Sequence, residues 1–99
     1  MTPEWVSEKE LDGIVRDLCS YLGVKRYHTA DSRRSEPGFP DLVLWRERLI
    51  FRELKSELGR SSLPQLYVGR SLVAAGQDWA VWRPSDWRSG RIEEELRAL

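Results

Sequence analysis

Apolar residues recur at helical spacing early in the chain. Leu11, Ile14, Val15, Leu18 and Leu22 form one stripe, with Cys19 on its flank. Ser7-Glu8-Lys9-Glu10 has the spacing of a capping box, Val6 and Leu11 stand at the two positions of a hydrophobic staple, and Gly23 is a natural stop. Beyond it the period shortens. Residues 24–28 read as a short strand with weak alternation, and residues 29–40, with Ser, Arg, Gly and two prolines, read as a loop. Leu42-Val43-Leu44-Trp45 and Leu49-Ile50-Phe51 are apolar strand cores around the polar Arg46-Glu47-Arg48, which predicts a hairpin. A polar loop over 56–62 precedes a second helix with Pro64 in its first turn, apolar positions at Leu66, Val68, Leu72 and Val73, and a stop at Gly76. Trp79-Ala80-Val81-Trp82 is the last strand, stopped by Pro84, and residues 92–99 form a short acidic helix. The order helix, strand, strand, strand, helix, strand, helix predicts an α/β domain: a mixed sheet with helices packed on its faces.

Ninety-nine residues suit a single domain spanning 1–99. Hydrophobic residues at 40% and charged residues at 32% are those of an ordinary globular protein and exclude a disordered chain. Sixteen basic and sixteen acidic residues cancel, which argues against nonspecific coating of nucleic acid but not against an enzyme whose carboxylates offset phosphate-binding cations. Five tryptophans are many for this length, so some are expected at a partner surface. The single Cys19 has no disulfide partner within the chain, as in a reducing compartment. The opening residues lack a basic region followed by an apolar stretch, and no apolar run nears the roughly 20 residues that span a bilayer. An intracellular protein without a membrane segment is expected.

The segment that carries chemistry is Pro40-Asp41 and, twelve residues on, Glu53-Leu54-Lys55. In a strand, residues two apart share a face, so Glu53 and Lys55 point one way and Leu54 the other. If Arg46-Glu47-Arg48 is a three-residue hairpin loop, Trp45 faces Leu49, Val43 faces Phe51 and Asp41 falls opposite Glu53. Opposed residues have Cβ atoms about 4.5–5.5 Å apart, and like charges so placed destabilise a sheet. A cation between them removes the conflict. Carboxylate oxygens select hard ions such as Mg²⁺ or Mn²⁺, which keep waters and bind substrate phosphate. Lys55 then stands where it can orient a water or neutralise charge developing on the phosphate. The alternative is that Asp41 caps a turn while Glu53 and Lys55 form a solvated surface pair.

Glu8 continues the apolar stripe of the first helix and can reach such a site, although a first-turn acid is also favoured by the helix dipole. Gln65 either contacts the site or completes a capping box with Ser62. Lys25, Arg26, Ser32, Arg33 and Arg34 flank the loop before Asp41, with only Asp31 against the cluster, and Arg60 lies in the loop after Lys55. These are candidate contacts to a DNA backbone, which carries most of the affinity and none of the base information. Cys19 lies on the buried stripe, and no serine sits in a G-x-S-x-G setting, so a nucleophilic mechanism has no candidate.

Taken in order, Glu8-Lys9-Glu10-Leu11, the run from Ser32 to Leu44 with Pro40-Asp41 at its heart, Glu53-Leu54-Lys55-Ser56-Glu57, Gly59-Arg60, Gln65 and Val81-Trp82-Arg83-Pro84 resemble the stand-alone VRR-NUC domain of the PD-(D/E)xK nuclease superfamily. The resemblance covers residues 7–87. It implies a restriction-endonuclease-like core with Asp41, Glu53 and the Leu54 backbone carbonyl as ligands of Mg²⁺ or Mn²⁺. It also implies Lys55 beside the attacking water, Glu8 as the helical glutamate and Gln65 opening the next helix. Pro64 directly precedes Gln65 here, whereas the family usually places a Ser/Thr-Pro pair before that helix. The resemblance implies a minimal protein of a kind frequent in bacteriophages, similar to dimeric nucleases that act on branched DNA, four-way junctions above all, and so a homodimer. The implied setting is the cytoplasm of a bacterial or phage-infected cell. A flap, nick or single-strand nuclease with the same site, and a DNA-binding module without turnover, are the competing expectations.

Overall fold

The computed structural model describes residues 6–29 and 36–99, which hold four strands and four helices. Helix α1 spans Glu8–Leu22, β1 Lys25–His28, β2 Leu42–Trp45, β3 Leu49–Leu54, α2 Leu63–Ala74, β4 Asp78–Trp82, α3 Pro84–Arg88 and α4 Arg91–Arg97. The expected capping box opens α1: the Ser7 hydroxyl accepts from the Glu10 N–H at 3.1 Å, and the Glu10 carboxylate accepts from the Ser7 N–H at 3.2 Å. Gly23 ends the helix in the left-handed region, as expected of it.

The strands lie in the order β1-β2-β3-β4, antiparallel across the first two seams and parallel across the third. The hairpin has the predicted register, with Trp45 opposite Leu49 and Val43 opposite Phe51. Alternation then assigns the two faces. Leu42, Leu44, Ile50, Leu54 and Trp82 share one face and join Leu11, Val15 and Cys19 of α1 and Ile92 and Leu96 of α4 in the core. Each large apolar side chain so buried contributes about 1.5–3 kcal/mol. The opposite face carries Val43, Phe51, Glu53, Trp79 and Val81. Helix α2 covers its β4 side, where Gly69 lies so close to the Trp79 indole that an added Cβ would sit 2.3 Å from Cε2. Gly69→Ala is therefore expected to push α2 off the sheet and cost about 1–3 kcal/mol, the usual penalty for overpacking; a melt at or above the unmodified temperature would refute this.

The element order departs from expectation at one place. Pro84 stops β4 but also starts a helix, α3, so the chain ends in two helices rather than one. Pro84 occupies the first helical position, where its missing N–H costs nothing, and Asp86 accepts from the Arg83 N–H at 2.7 Å. Five residues are too few to show an apolar period. The last helix spans Arg91–Arg97, starting one residue earlier and ending two residues earlier than the span expected for it. No helix among the described residues is long and apolar enough to cross a membrane.

The described tryptophans differ in exposure. Trp82 is fully buried, Trp45 and Trp79 are half-buried, and Trp87 alone among those described is exposed, at 37%. Among the described residues the most exposed aromatics are tyrosines: Tyr21, Tyr27 and Tyr67.

Candidate active site

Asp41 stands one residue before β2, and Glu53 lies in β3 one step beyond the last paired residues, Leu42 and Arg52. The same register continued by one step brings the two carboxylates together. Thr29 fixes the approach to Asp41: its hydroxyl donates to the Pro40 carbonyl at 2.6 Å and its N–H to the Asp41 carbonyl at 2.8 Å. Asp41 Oδ2 accepts from the Leu54 N–H at 2.7 Å, so the carboxylate rests against the β3 backbone. Gly38, with φ of 95°, brings the preceding turn onto the start of α2, where a Cβ would lie 2.4 Å from the Pro64 carbonyl oxygen.

Glu53 is fully buried. Its Oε1 accepts from Gln65 Nε2 at 2.9 Å, while its Oε2 is buried with no hydrogen-bond donor. The Asp41 carboxylate, an acceptor like itself, lies in contact with Glu53. Burial pushes the Glu53 carboxyl up to about 9, helped by its contact with Asp41 and by the Asp41 charge, and opposed by Lys55. Glu8 is also raised, by loss of solvent first and then by the Asp41 charge, with Lys55 again pulling the other way. Glu8, Asp41, Glu53 and Lys55 thus act on one another's charge, as a single cluster. Lys55 forms no direct ion pair among the described residues, and its ammonium is left to act on whatever enters.

Gln65 has both of the roles weighed for it. Its Oε1 accepts from the Ser62 N–H at 2.8 Å, completing the capping box of α2, and its amide nitrogen is thereby aimed at Glu53. Gln65→Glu keeps the capping oxygen but places a third carboxylate against Glu53. On the nuclease reading proposed below, we expect this variant to fold normally and to lose about tenfold or more in kcat, about 1.4 kcal/mol in the barrier; unchanged cleavage would show that Gln65 is a cap and nothing else.

The expected DNA-contacting cations divide. Lys25 is exposed on β1 and Arg60 on the loop after Lys55. Arg26 is bound to the Asp12 carboxylate, one turn along α1 from Glu8, and its side chain is only 18% exposed. Ser32, Arg33 and Arg34 lie outside the described residues. Burial raises the Cys19 thiol to about 11, which leaves it inert as a nucleophile. Asp12 and Thr29 also shape this region and belong to no motif of the sequence, while Arg83 stands there only within the Val81-Trp82-Arg83-Pro84 run, with no role assigned. The only sequence signal for Asp12 was its place four residues after Glu8, on the same helical face.

The donor set fits a hard divalent cation. Two carboxylates converge, and a buried carboxylate oxygen lacks a donor. Among the described residues no group of three or more His, Cys, Asp or Glu is gathered as a metal cage. An ion here would rest on two carboxylates and complete its shell with backbone carbonyl, water and phosphate, which is the habit of Mg²⁺. Neither a family model, nor a curated protein, nor a solved structure matches this chain.

Proposed function

We propose that this chain is a metal-dependent DNA endonuclease of the VRR-NUC type, with a PD-(D/E)xK core, that cuts branched DNA as a homodimer. One observation carries the reading: Glu53 is wholly buried beside Asp41 with a carboxylate oxygen that no donor satisfies. Such a pair costs stability unless a cation or a shared proton joins it, and a divalent ion in place of the proton turns that cost into a binding site. Asp41, Glu53 and the Leu54 carbonyl are the residues that would hold Mg²⁺ or Mn²⁺. When bound, such an ion polarises a phosphoryl oxygen and lowers the pKa of a coordinated water.

The chain's own residues supply the rest. Gln65 holds Glu53 in one orientation, and Glu8 adds negative charge at the edge of the cluster, favouring cation entry. Lys55 orients the attacking water and balances charge that develops on the phosphate. Lys25 and Arg60, both exposed, are the proposed contacts to the DNA backbone, with Ser32, Arg33 and Arg34 as further ones; Arg26 is already occupied by Asp12. Symmetric incision across a four-way junction requires two such sites, which a C2 pair supplies.

The test is a panel of end-labelled four-way junction, flap, nicked, single-stranded and linear duplex DNA with Mg²⁺, Mn²⁺ or EDTA. Cleavage is expected with either ion and none with EDTA, with the junction preferred over linear duplex by about tenfold or more, a difference of about 1.4 kcal/mol. Equal rates on junction and linear duplex would remove junction selectivity. Absence of cutting anywhere with Mn²⁺ would sink the enzyme and leave a DNA-binding module.

A further inference from the structure

The loop from Ser56 to Ser62 leaves β3 directly after Lys55, carries Arg60 and delivers Gln65 to Glu53. It is polar and contains Gly59, a composition that ordinarily gives a mobile connection. Here one side chain from another element grips it. Arg83 Nη1 lies 2.7 Å from the Ser56 carbonyl oxygen, 3.2 Å from that of Glu57 and 2.6 Å from that of Gly59. The grip is returned from the loop: the Glu57 carboxylate accepts from the Ser85 N–H at 3.0 Å, at the start of α3. Lys55 itself donates its N–H to the Trp82 carbonyl at 3.1 Å, which extends the parallel β3–β4 seam to the residue just before Arg83.

A guanidinium keeps its charge at any working pH and is rigid in shape, so it sets the path of the backbone it binds. We propose that Arg83 is a positioning residue of the active site: by drawing three consecutive-turn carbonyls of residues 56–59 onto one nitrogen, it fixes where Lys55 ends and where Gln65 begins. The inference rests on the nuclease reading for its catalytic half and on geometry alone for its structural half.

Arg83→Ala and Arg83→Lys of the full chain, compared with the unmodified protein, test both halves. Kinetics on a four-way junction with Mn²⁺ are measured well below each melting temperature, together with amide hydrogen exchange of residues 56–62. Arg83→Ala is expected to lower kcat by roughly tenfold to a hundredfold, since misplacing a catalytic group by about 1 Å has that effect, with KM changed far less and exchange in 56–62 accelerated. Arg83→Lys, which has three donors on a single nitrogen, is expected to restore much of kcat and slow the exchange again. Should the alanine variant fail to fold, Arg83→Gln takes its place. Normal kcat in the alanine or glutamine variant, or a lysine variant no better than alanine, overturns the catalytic role. Unchanged exchange overturns the grip itself. If the unmodified chain cuts nothing, the nuclease reading fails and takes the catalytic half with it, whereas the exchange result still decides the structural half.

Discussion

Glu53→Gln is expected to abolish cleavage and, at the same time, to make the metal-free protein more stable. The two effects have one origin. Glutamine keeps an oxygen for Gln65 Nε2 and supplies an amide that can donate to Asp41, so the buried oxygen without a donor is replaced by a satisfied group. The cost of holding a proton on Glu53, which the unfolded chain would release at pH 8, disappears as well. A gain of about 1 kcal/mol raises the melting temperature of a domain this size by about 4–8 °C. Cleavage, by contrast, loses its charged ligand, and a fall of about a thousandfold or more in kcat corresponds to about 4 kcal/mol in the barrier. Junction binding should persist, because phosphate contacts dominate affinity. Single-turnover cleavage and a melt in EDTA at pH 8 decide the matter: a glutamine variant that cuts normally, or that melts lower than its parent, contradicts this account.

The same group predicts how stability follows pH. The Glu53 carboxyl is raised from its ordinary 4.5 to about 9 in the metal-free fold. The folded state therefore keeps a proton that the unfolded chain releases between those values, and stability falls wherever the folded form binds more protons. The Glu53 contribution is whole below about 4.5 and drains away as pH rises toward about 9. Melts in EDTA should show that decline, and Glu53→Gln should flatten it. Since a bound cation must displace the proton, Mn²⁺ is expected to raise the melting temperature more at pH 8.5 than at pH 6. A larger rise at the lower pH would mean that the ion binds elsewhere.

Glu95→Ala is expected to damage the fold severely. Arg52 is buried at the centre of the sheet, its ring-facing carbon 5.3 Å from the Trp82 centroid. Glu95 accepts from Arg52 Nε at 3.1 Å and Nη2 at 2.7 Å, and from Trp82 Nε1 at 3.1 Å. Burial alone would raise the Glu95 carboxyl, but the hydrogen bonds from Arg52, Arg91 and Trp82 outweigh it and hold it low. Removing this carboxylate leaves Arg52 only Asp78 as an ionic partner, and strands the indole N–H. Breaking a buried pair costs about 3–5 kcal/mol, a large share of the about 5–15 kcal/mol that holds a domain folded. The melting temperature should fall by about 12 °C or more. Arg52→Met combined with Glu95→Leu should recover most of the loss, because apolar replacement of a whole buried pair is often neutral. A double variant as unstable as Glu95→Ala would show that packing, not the stranded charge, is at fault.

How much of this was legible beforehand depends on the range of each interaction. The capping boxes at Ser7 and Ser62 involve residues three apart, and the hairpin register follows from three polar residues between two apolar runs. Both were therefore readable, and the pairing of Asp41 with Glu53 came with the register. Helix α3 was not readable, since five residues starting at a proline carry no period. Neither was the capture of Arg26 by Asp12, nor the hold of Arg83 on residues 56–59, because those partners meet only after the chain has folded. Gln65 was left open between cap and site for a physical reason: the amide has two ends, and each end takes one role.

Strand β3 places Arg52 and Leu54 on the core side, while Glu53 between them and Lys55 just after the strand turn the other way. Scaffold and chemistry are thus interleaved at alternate residues of a single peptide. Adding or deleting one residue in the turn at Arg46-Glu47-Arg48 would exchange the two sets, sending acids inward and leucine outward. Length in that turn is consequently not a free variable for evolution or for engineering: a change there cannot trade activity against robustness, because it forfeits both at once.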